Sequence, residues 1–322
     1  MVATVDAVVI GRNEGTRLIA CLDSLQGQVR RVVYVDSGST DGSVAAATAA
    51  GAQVALLDTT HPFTAARARN AGFDALAADP PEFVQFLDGD CSMDPRWIEV
   101  ALPVMQGRPD LAVVCGRRRE RFPEASVYNR LADAEWDTPV GAAKACGGDA
   151  LMRYAALRQA GGYRADLIAG EEPELCLRLA RAGWGIWRLD AEMTLHDAAM
   201  TRFSQWWNRA RRAGFAFAEG AALHGRGPER HWVAETRRAI LWGAGLPLTT
   251  LLGALLSHPL WLALLLAWPL QMVRLARRWG GGRGALERAM FTVLGKLPEA
   301  LGVLGYWFGR LSGRRRGLIE YK

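Results

Sequence analysis

Two aspartates one residue apart, Asp88-Gly89-Asp90, stand directly after the apolar run 83–87. Carboxylates at that spacing on a strand end can share a hard divalent cation bridging a diphosphate. A solvated acidic turn would have the same sequence, so the pair needs support from elsewhere in the chain. Asp36-Ser37-Gly38-Ser39-Thr40-Asp41-Gly42 follows a second apolar run and is rich in hydroxyls and backbone N–H groups, as a ligand-holding turn or a plain helix cap would be. Arg69-Asn70-Ala71-Gly72 lies in a helical pattern, where a single arginine also fits a solvated face. Glu171-Glu172 precede Pro173 at another helix start, a place where acidic side chains favour the helix dipole whatever else they do. His196 ends a strand-like segment before Asp197, either as a structural imidazole or as a metal ligand.

The elements that must position these groups are legible as hydrophobic patterns. Residues 7–10, 32–35, 54–57, 83–87 and 111–115 read as buried strands; 16–25, 42–50, 65–77 and 95–106 read as helices, with Pro95 in a first turn. The alternation predicts a parallel, doubly wound α/β sheet with helices on both faces. Ligands of such sheets bind outside the carboxyl ends of the strands. That edge carries Gly11-Arg12-Asn13-Glu14, Asp36-Ser37, Asp58 and Asp88-Gly89-Asp90, a set suited to a metal-bound nucleotide. Residues 116–200 read as a charged loop 117–121, a helix 125–136, a turn at Cys146-Gly147-Gly148-Asp149, a helix 171–182 and strands 185–189 and 193–196.

The order of these motifs resembles the family 2 inverting glycosyltransferases, across about residues 5–215. A strand then R-N-E, a strand then D-S-G-S-T-D-G, a helix with A-R-N-A-G and a strand then L-D-G-D come first. Gly147-Gly148, Gly170-Glu171-Glu172-Pro173-Glu174-Leu175 with Arg178-Leu179, and Gln205-Trp206 follow. The resemblance implies the Rossmann-like A-type nucleotide-diphospho-sugar transferase fold. Carried over by position, it implies donor binding by Asn13, Glu14, Asp36, Ser37, Asp41, Arg69 and Asp88, and a Mn²⁺ or Mg²⁺ ion held by Asp90 with Asp88 and His196. Gly147, Gly148 and Trp206 would lie on the acceptor side. Glu172, beside Glu171, would deprotonate the acceptor hydroxyl, longer by one methylene than the family's usual aspartate. Ser37 stands where the family commonly has a second aspartate that reads uracil, so a UDP-sugar is favoured without being required. Gln205-Trp206-Trp207 with Arg209 departs from the Q-x-x-R-W spacing of processive synthases, which favours transfer of a single sugar.

Charge and hydropathy divide the chain. The 322 residues carry a net charge of +6, yet residues 1–201 hold 20 basic against 27 acidic side chains, a net of −7, while residues 202–322 hold 19 against 6, a net of +13. This split does not fit a nucleic-acid-binding surface. Five widely spaced cysteines without a C-x-x-C, and a start that runs directly into a strand, lead to the expectation that the first domain stays in a reducing cytoplasm. Residues 239–273 contain no Asp, Glu, Lys or Arg and are broken at Ser257-His258-Pro259, which predicts a helical hairpin, re-entrant or of two short spans, with Trp242, Trp261, Trp268 and Trp279 as anchors. Residues 291–311, interrupted by Pro298, read as interfacial, and Arg310, Arg314, Arg315 and Arg316 as partners of anionic headgroups.

The organisation expected is a catalytic domain 1–200, with a nucleotide-sugar half to about residue 116 and an acceptor half from 117. Amphipathic basic helices 201–238 and a membrane-associated region 239–322 complete it. On these grounds the chain should move one sugar from a nucleotide-diphosphate sugar to a lipid-linked acceptor, foremost a polyprenyl-diphosphate saccharide, at the cytoplasmic face of the membrane in surface polysaccharide or glycolipid synthesis. Oligomeric state has no signature. A sugar-1-phosphate nucleotidyltransferase shares much of the sheet, but residues 11–14 offer one glycine and no lysine. A non-catalytic membrane-associated protein of the same fold would have no use for Asp88, Asp90, Glu171 and Glu172.

Overall fold

The computed structural model describes residues 3–313, which divide into two compact units between Thr201 and Arg202. Arg314, Arg315 and Arg316 lie outside the described residues. The first unit begins β1 (Val5–Gly11), α1 (Thr16–Leu25), β2 (Val32–Asp36), α2 (Ser43–Ala49), β3 (Gln53–Leu56), α3 (Ala65–Ala75) and β4 (Phe83–Asp88). It continues β5 (Cys91–Met93), α4 (Trp97–Gly107), β6 (Leu111–Glu120), α5 (Val127–Trp136), β7 (Gly141–Ala142), β8 (Ala150–Arg153), α6 (Tyr154–Gln159), α7 (Glu171–Arg181) and β9 (Gly185–His196).

The strand order is β3-β2-β1-β4-β8-β6-β9-β5, with β7 on β9. The first four strands are parallel in the order expected of an alternating βα chain. The fifth expected strand, β6, runs parallel to β4 across β8, as the alternation requires; the strands that come after residue 116 make the sheet mixed. β8 inserts antiparallel between β4 and β6, and β5 pairs antiparallel with β9. β8 is only four residues long and lacks a helical crossover, so periodicity could not announce its direction. Residues 117–121 are not a loop either: Arg117–Glu120 complete β6, whose partner β9 runs unbroken from Gly185 to His196 through bulges near Cys115 and Arg117. Pro95 precedes α4 rather than entering its first turn, because the helix starts at Trp97.

Hydrophobic burial fixes the sheet. Val8, Val33, Tyr34, Val35, Phe83, Phe86 and Leu87 are fully buried, each aliphatic or aromatic side chain contributing about 1.5–3 kcal/mol. Gly72 lets α3 lie directly on β1 and β2: a Cβ there would come within 2.3 Å of Val8 Cγ1 and 3.0 Å of Val35 Cγ2. That close approach seats Arg69, one turn earlier, over the carboxyl ends of the strands.

The second unit is helical: α8 (Phe203–His224), α9 (Val233–Ile240), a π-turn at Leu241–Gly245, α10 (Leu246–Leu256), a 3₁₀ segment Pro259–Leu266, α11 (Ala267–Arg278), α12 (Gly282–Leu294) and α13 (Lys296–Leu311). Two continuous segments, Val233–Leu256 and Pro259–Arg278, are long and apolar enough to cross a membrane; of their most apolar stretches only 11% and 6% is buried. The turn between them falls at Ser257 and His258, and Trp261 folds back onto Gly253. α13 is not simply an interfacial helix. Its Ala300, Gly302, Val303 and Tyr306 face is buried, with Gly302 against the α8 backbone at Arg211, while Leu304, Trp307, Phe308 and Leu311 are exposed.

Candidate active site

The carboxyl ends of β1, β2 and β4 bring the donor candidates to one edge, as their parallel register requires: Gly11 lies opposite Asp36, and Ile10 opposite Asp88. Asn13 takes φ +55°, a left-handed conformation that asparagine tolerates, and is locked to the next loop. Its N–H donates to Ser39 Oγ at 2.9 Å, and its Oδ1 accepts from the Thr40 N–H at 2.7 Å. The Gly15 N–H donates to Asp41 Oδ2 at 3.2 Å, and Glu14 pairs with Arg17 at 2.7 Å. Asp36 is buried and accepts from Tyr34 Oη at 3.0 Å and from the Gly38 and Ser39 N–H groups at 3.0 and 2.8 Å. These bonds fold residues 36–41 into a rigid turn beside Ser37.

Arg69 is the hub of the site. Its side chain is 3% exposed, with Nη2 donating to Asp88 Oδ1 and Nη1 to Glu171 Oε1, each at 2.7 Å. The second Asp88 oxygen accepts from Arg118 Nη2 at 3.1 Å. Asp149, fully buried, accepts from the Asp88 N–H at 3.1 Å and from Thr194 Oγ1 at 2.8 Å, and its Oδ2 lies 3.5 Å from Arg118 Nε. Arg69 and Arg118 stay cationic in spite of burial because these carboxylates surround them. Gly148 threads the cluster. A Cβ there would sit 2.8 Å from Asp88 Oδ2 and 2.9 Å from Arg69 Nη2, so Gly148→Ala should cost about 1–3 kcal/mol and lower the thermal midpoint by several degrees in a melting experiment. An unchanged midpoint would show the cluster to be slack.

Asp90 and His196 converge from neighbouring strand ends. Cys91 pairs with His196 across β5 and β9, and the Asp197 N–H donates to Asp90 O at 3.0 Å. His196 Nε2 lies 3.4 Å from Asp90 Oδ1; Nδ1 is buried, has no hydrogen-bond partner among the described residues and faces Glu120 Oε2 at 3.7 Å. Burial and the neighbouring Arg118 charge lower the imidazole pKa, keeping the ring neutral as a ligand must be. A neutral nitrogen beside a buried carboxylate, with a second carboxylate behind the ring, fits a divalent cation of the Mn²⁺ or Mg²⁺ type. Of the three candidate ligands, Asp88 is engaged by two guanidiniums, whereas Asp90 Oδ1 and His196 Nε2 face each other at 3.4 Å.

Glu172 is buried at the first turn of α7. Its Oε1 accepts from the Cys146 N–H at 2.5 Å and from the Cys176 thiol at 3.0 Å. Desolvation raises its pKa above the ordinary glutamate range, partly opposed by those two bonds. Glu171, its neighbour, is turned toward Arg69 instead. Gly147 takes φ +77° in the loop that carries Cys146 and Gly148 to this place. Trp206 belongs to the second unit, on α8, where it packs edge-on against Phe291 at 5.0 Å. Sequence reasoning missed Arg118, Glu120 and Asp149 as site residues. Asp149 had a signal in the Gly-Gly-Asp turn, whereas Arg118 and Glu120 lay in a stretch that read as a loop.

Comparison with known proteins agrees with this geometry. A family profile described as glycosyl transferase family 2 matches residues 6–154. The chain is 29% identical over 242 residues to a pre-mycofactocin glycosyltransferase of Mycobacterium tuberculosis, covering 68% of this chain and 48% of that protein. It therefore spans about half the length of that relative. Among solved structures it resembles a mannosyltransferase of Pyrobaculum calidifontis in complex with GDP-Man and Mn²⁺, with a TM-score of 0.59 at 20% identity over 97% of this chain and 88% of the other. It also resembles S. aureus TarS in complex with UDP-GlcNAc, with a TM-score of 0.50 at 15% identity over 97% and 92%. At these identities the likeness establishes the fold.

Proposed function

Because residues 6–154 match the glycosyl transferase family 2 profile, we propose that the protein is an inverting, metal-dependent glycosyltransferase that moves one hexose from a nucleotide-diphosphate sugar to a lipid-linked acceptor. The observation that carries the reading is the Arg69 clamp. One guanidinium ties Asp88, at the donor edge of the sheet, to Glu171, at the start of α7, and so sets Glu172 at a fixed distance from the donor edge. Inversion in a single displacement needs one base placed across the anomeric carbon from the diphosphate, and no covalent nucleophile.

Asn13, Asp36, Ser37 and the turn to Asp41 would hold the base and ribose, and Asp88 the ribose or sugar. Asp90 and His196 would hold the cation, whose chemistry is to offset the charge of the departing diphosphate. Glu172 would take the acceptor proton on Oε1 or Oε2. The solved neighbours bind GDP-Man and UDP-GlcNAc, so the fold accepts either nucleobase, and Ser37 leaves this chain between them. Release of nucleoside diphosphate from a panel of nucleotide sugars tests the class. Pyrophosphate release would indicate a nucleotidyltransferase, and silence across donors and lipid acceptors a non-catalytic role.

The two exposed apolar segments support a lipid-borne acceptor at the cytoplasmic membrane face, with a polyprenyl-diphosphate saccharide as the first candidate. Arg237 and Arg238 in the first turns of the first segment, Arg274, Arg277 and Arg278 at the end of the second, and Arg283 beyond it would meet anionic headgroups. Alkaline carbonate should leave the protein in the membrane pellet; its release into the supernatant would refute integral insertion. A pH profile gives a separate check. Glu172 must be ionised to accept a proton, and burial raises its pKa, so kcat/KM should fall on acidification at a pH above that of an ordinary glutamate. An acid limb in the usual carboxylate range would assign the base elsewhere.

A further inference from the structure

Glu172 does not stand alone at the start of α7. Cys176 follows it by one helical turn on the same face, and Cys146 arrives from the loop before Gly147. The two sulfurs are 3.7 Å apart, Cys176 Sγ is 3.0 Å from Glu172 Oε1, and the three ligand atoms all lie within 4.8 Å of one another. All three residues are buried, and both thiols are free.

We propose that Cys146, Cys176 and Glu172 form a binding site for a soft divalent cation such as Zn²⁺, separate from the Asp90–His196 site. With zinc–sulfur bonds of about 2.3 Å and tetrahedral angles, two thiolates ligating one ion stand about 3.8 Å apart. The observed 3.7 Å matches that without movement of the backbone. A carboxylate oxygen in the same shell stands about 3.5 Å from each sulfur, so Glu172 Oε1 would draw back from the Cys176 sulfur, which lies at 3.0 Å. Three protein ligands leave a fourth position for water. The donor sets divide the metals: two sulfurs select zinc or cadmium, whereas oxygen and imidazole at Asp90 and His196 suit Mn²⁺ or Mg²⁺.

Binding displaces both thiol protons to solvent. The hydrogen bond from Cys176, with burial, raises the Cys146 thiol; Cys176, lowered by that bond but raised more by burial and the Glu172 carboxylate, stands at about 11, so both remain protonated until an ion arrives. An ion here also engages the carboxylate that would accept the acceptor proton and withdraws its basicity. Occupancy therefore stops transfer, a consequence that rests on the reading of Glu172 as the base, whereas the site itself does not.

The test is a titration of the full-length, thiol-reduced protein in detergent with Cd²⁺, in the presence of excess Mn²⁺, following the ultraviolet thiolate-to-cadmium charge-transfer band. One equivalent should saturate it. The band should be lost in Cys146→Ser and in Cys176→Ser, and kept in Asp90→Asn and in Cys91→Ser, whose sulfur lies within 4.8 Å of the Asp90 and His196 ligand atoms. No band in the wild-type protein, a band that survives both Cys146→Ser and Cys176→Ser, or a Cys146–Cys176 disulfide in place of two titratable thiols would overturn the proposal. One equivalent of Zn²⁺ should then lower transfer at least tenfold, reversed by chelation and return of Mn²⁺. If the band behaves as stated and transfer continues, the site stands and Glu172 is not the base.

Discussion

Glu172→Gln should lower transfer by about 10²–10⁴-fold, the range a positioned general base contributes, while donor affinity changes by less than about threefold. Glutamine has the same shape, and its Oε1 still accepts from the Cys146 N–H and the Cys176 thiol, so the start of α7 has no reason to unfold. What it lacks is a lone pair basic enough to take a proton. Single-turnover transfer and donor-induced thermal shifts separate the two quantities, since a bound donor raises the midpoint through RT ln(1 + [L]/Kd). Near-normal turnover would sink the assignment. The adjacent carboxylate is no substitute, because Glu171 is fixed in an ion pair with Arg69.

Arg69→Met should cost about 3–5 kcal/mol of stability and abolish transfer as well. Methionine fills much of the space but leaves Glu171 and Asp88 without the cation that offsets their desolvation. Arg118 still reaches Asp88 at 3.1 Å, so the larger part of the penalty falls on Glu171, whose side chain is 13% exposed. The double substitution Arg69→Met with Glu171→Leu removes both charges and should recover more than about 1 kcal/mol relative to the sum of the single effects. Chemical denaturation of the three variants measures that coupling. Additive losses would show that Arg69 acts by packing alone, and the clamp would then set no distance between the donor edge and α7.

Much of the first unit was legible because its signals are local. α1 spans Thr16–Leu25, as its periodicity predicts, and the predicted cores of β1, β2 and β4 lie within their observed strands. A parallel sheet puts the residues that follow such strands at one edge, so Asn13, Asp36 and Asp88 could be assembled on paper. The antiparallel β8 could not. Its four residues resemble any short apolar run, and only pairing with β4 and β6 gives it direction. The extension of β6 through Arg117–Glu120 was hidden for a related reason. Charge reads as solvent exposure, yet Arg117 and Glu120 are buried by their partners, Arg117 against Asp133 at 3.0 Å and Glu120 against Asn129 at 3.1 Å.

The sequence by itself determined the order of the motifs, the sheet edge that carries the carboxylates and the two apolar segments of the tail. These depend on hydrophobic period and turn chemistry, which act over a few residues. Tertiary structure alone decided which charge meets which. Arg69 and Glu171 are 102 residues apart, Asp88 and Asp149 are 61, and Cys146 and Cys176 are 30. No local pattern encodes such a pair, because its energy exists only after folding has removed both groups from water and left each as the other's solvent. For that reason Glu172 could be found in the sequence, but the two thiols that enclose it could not.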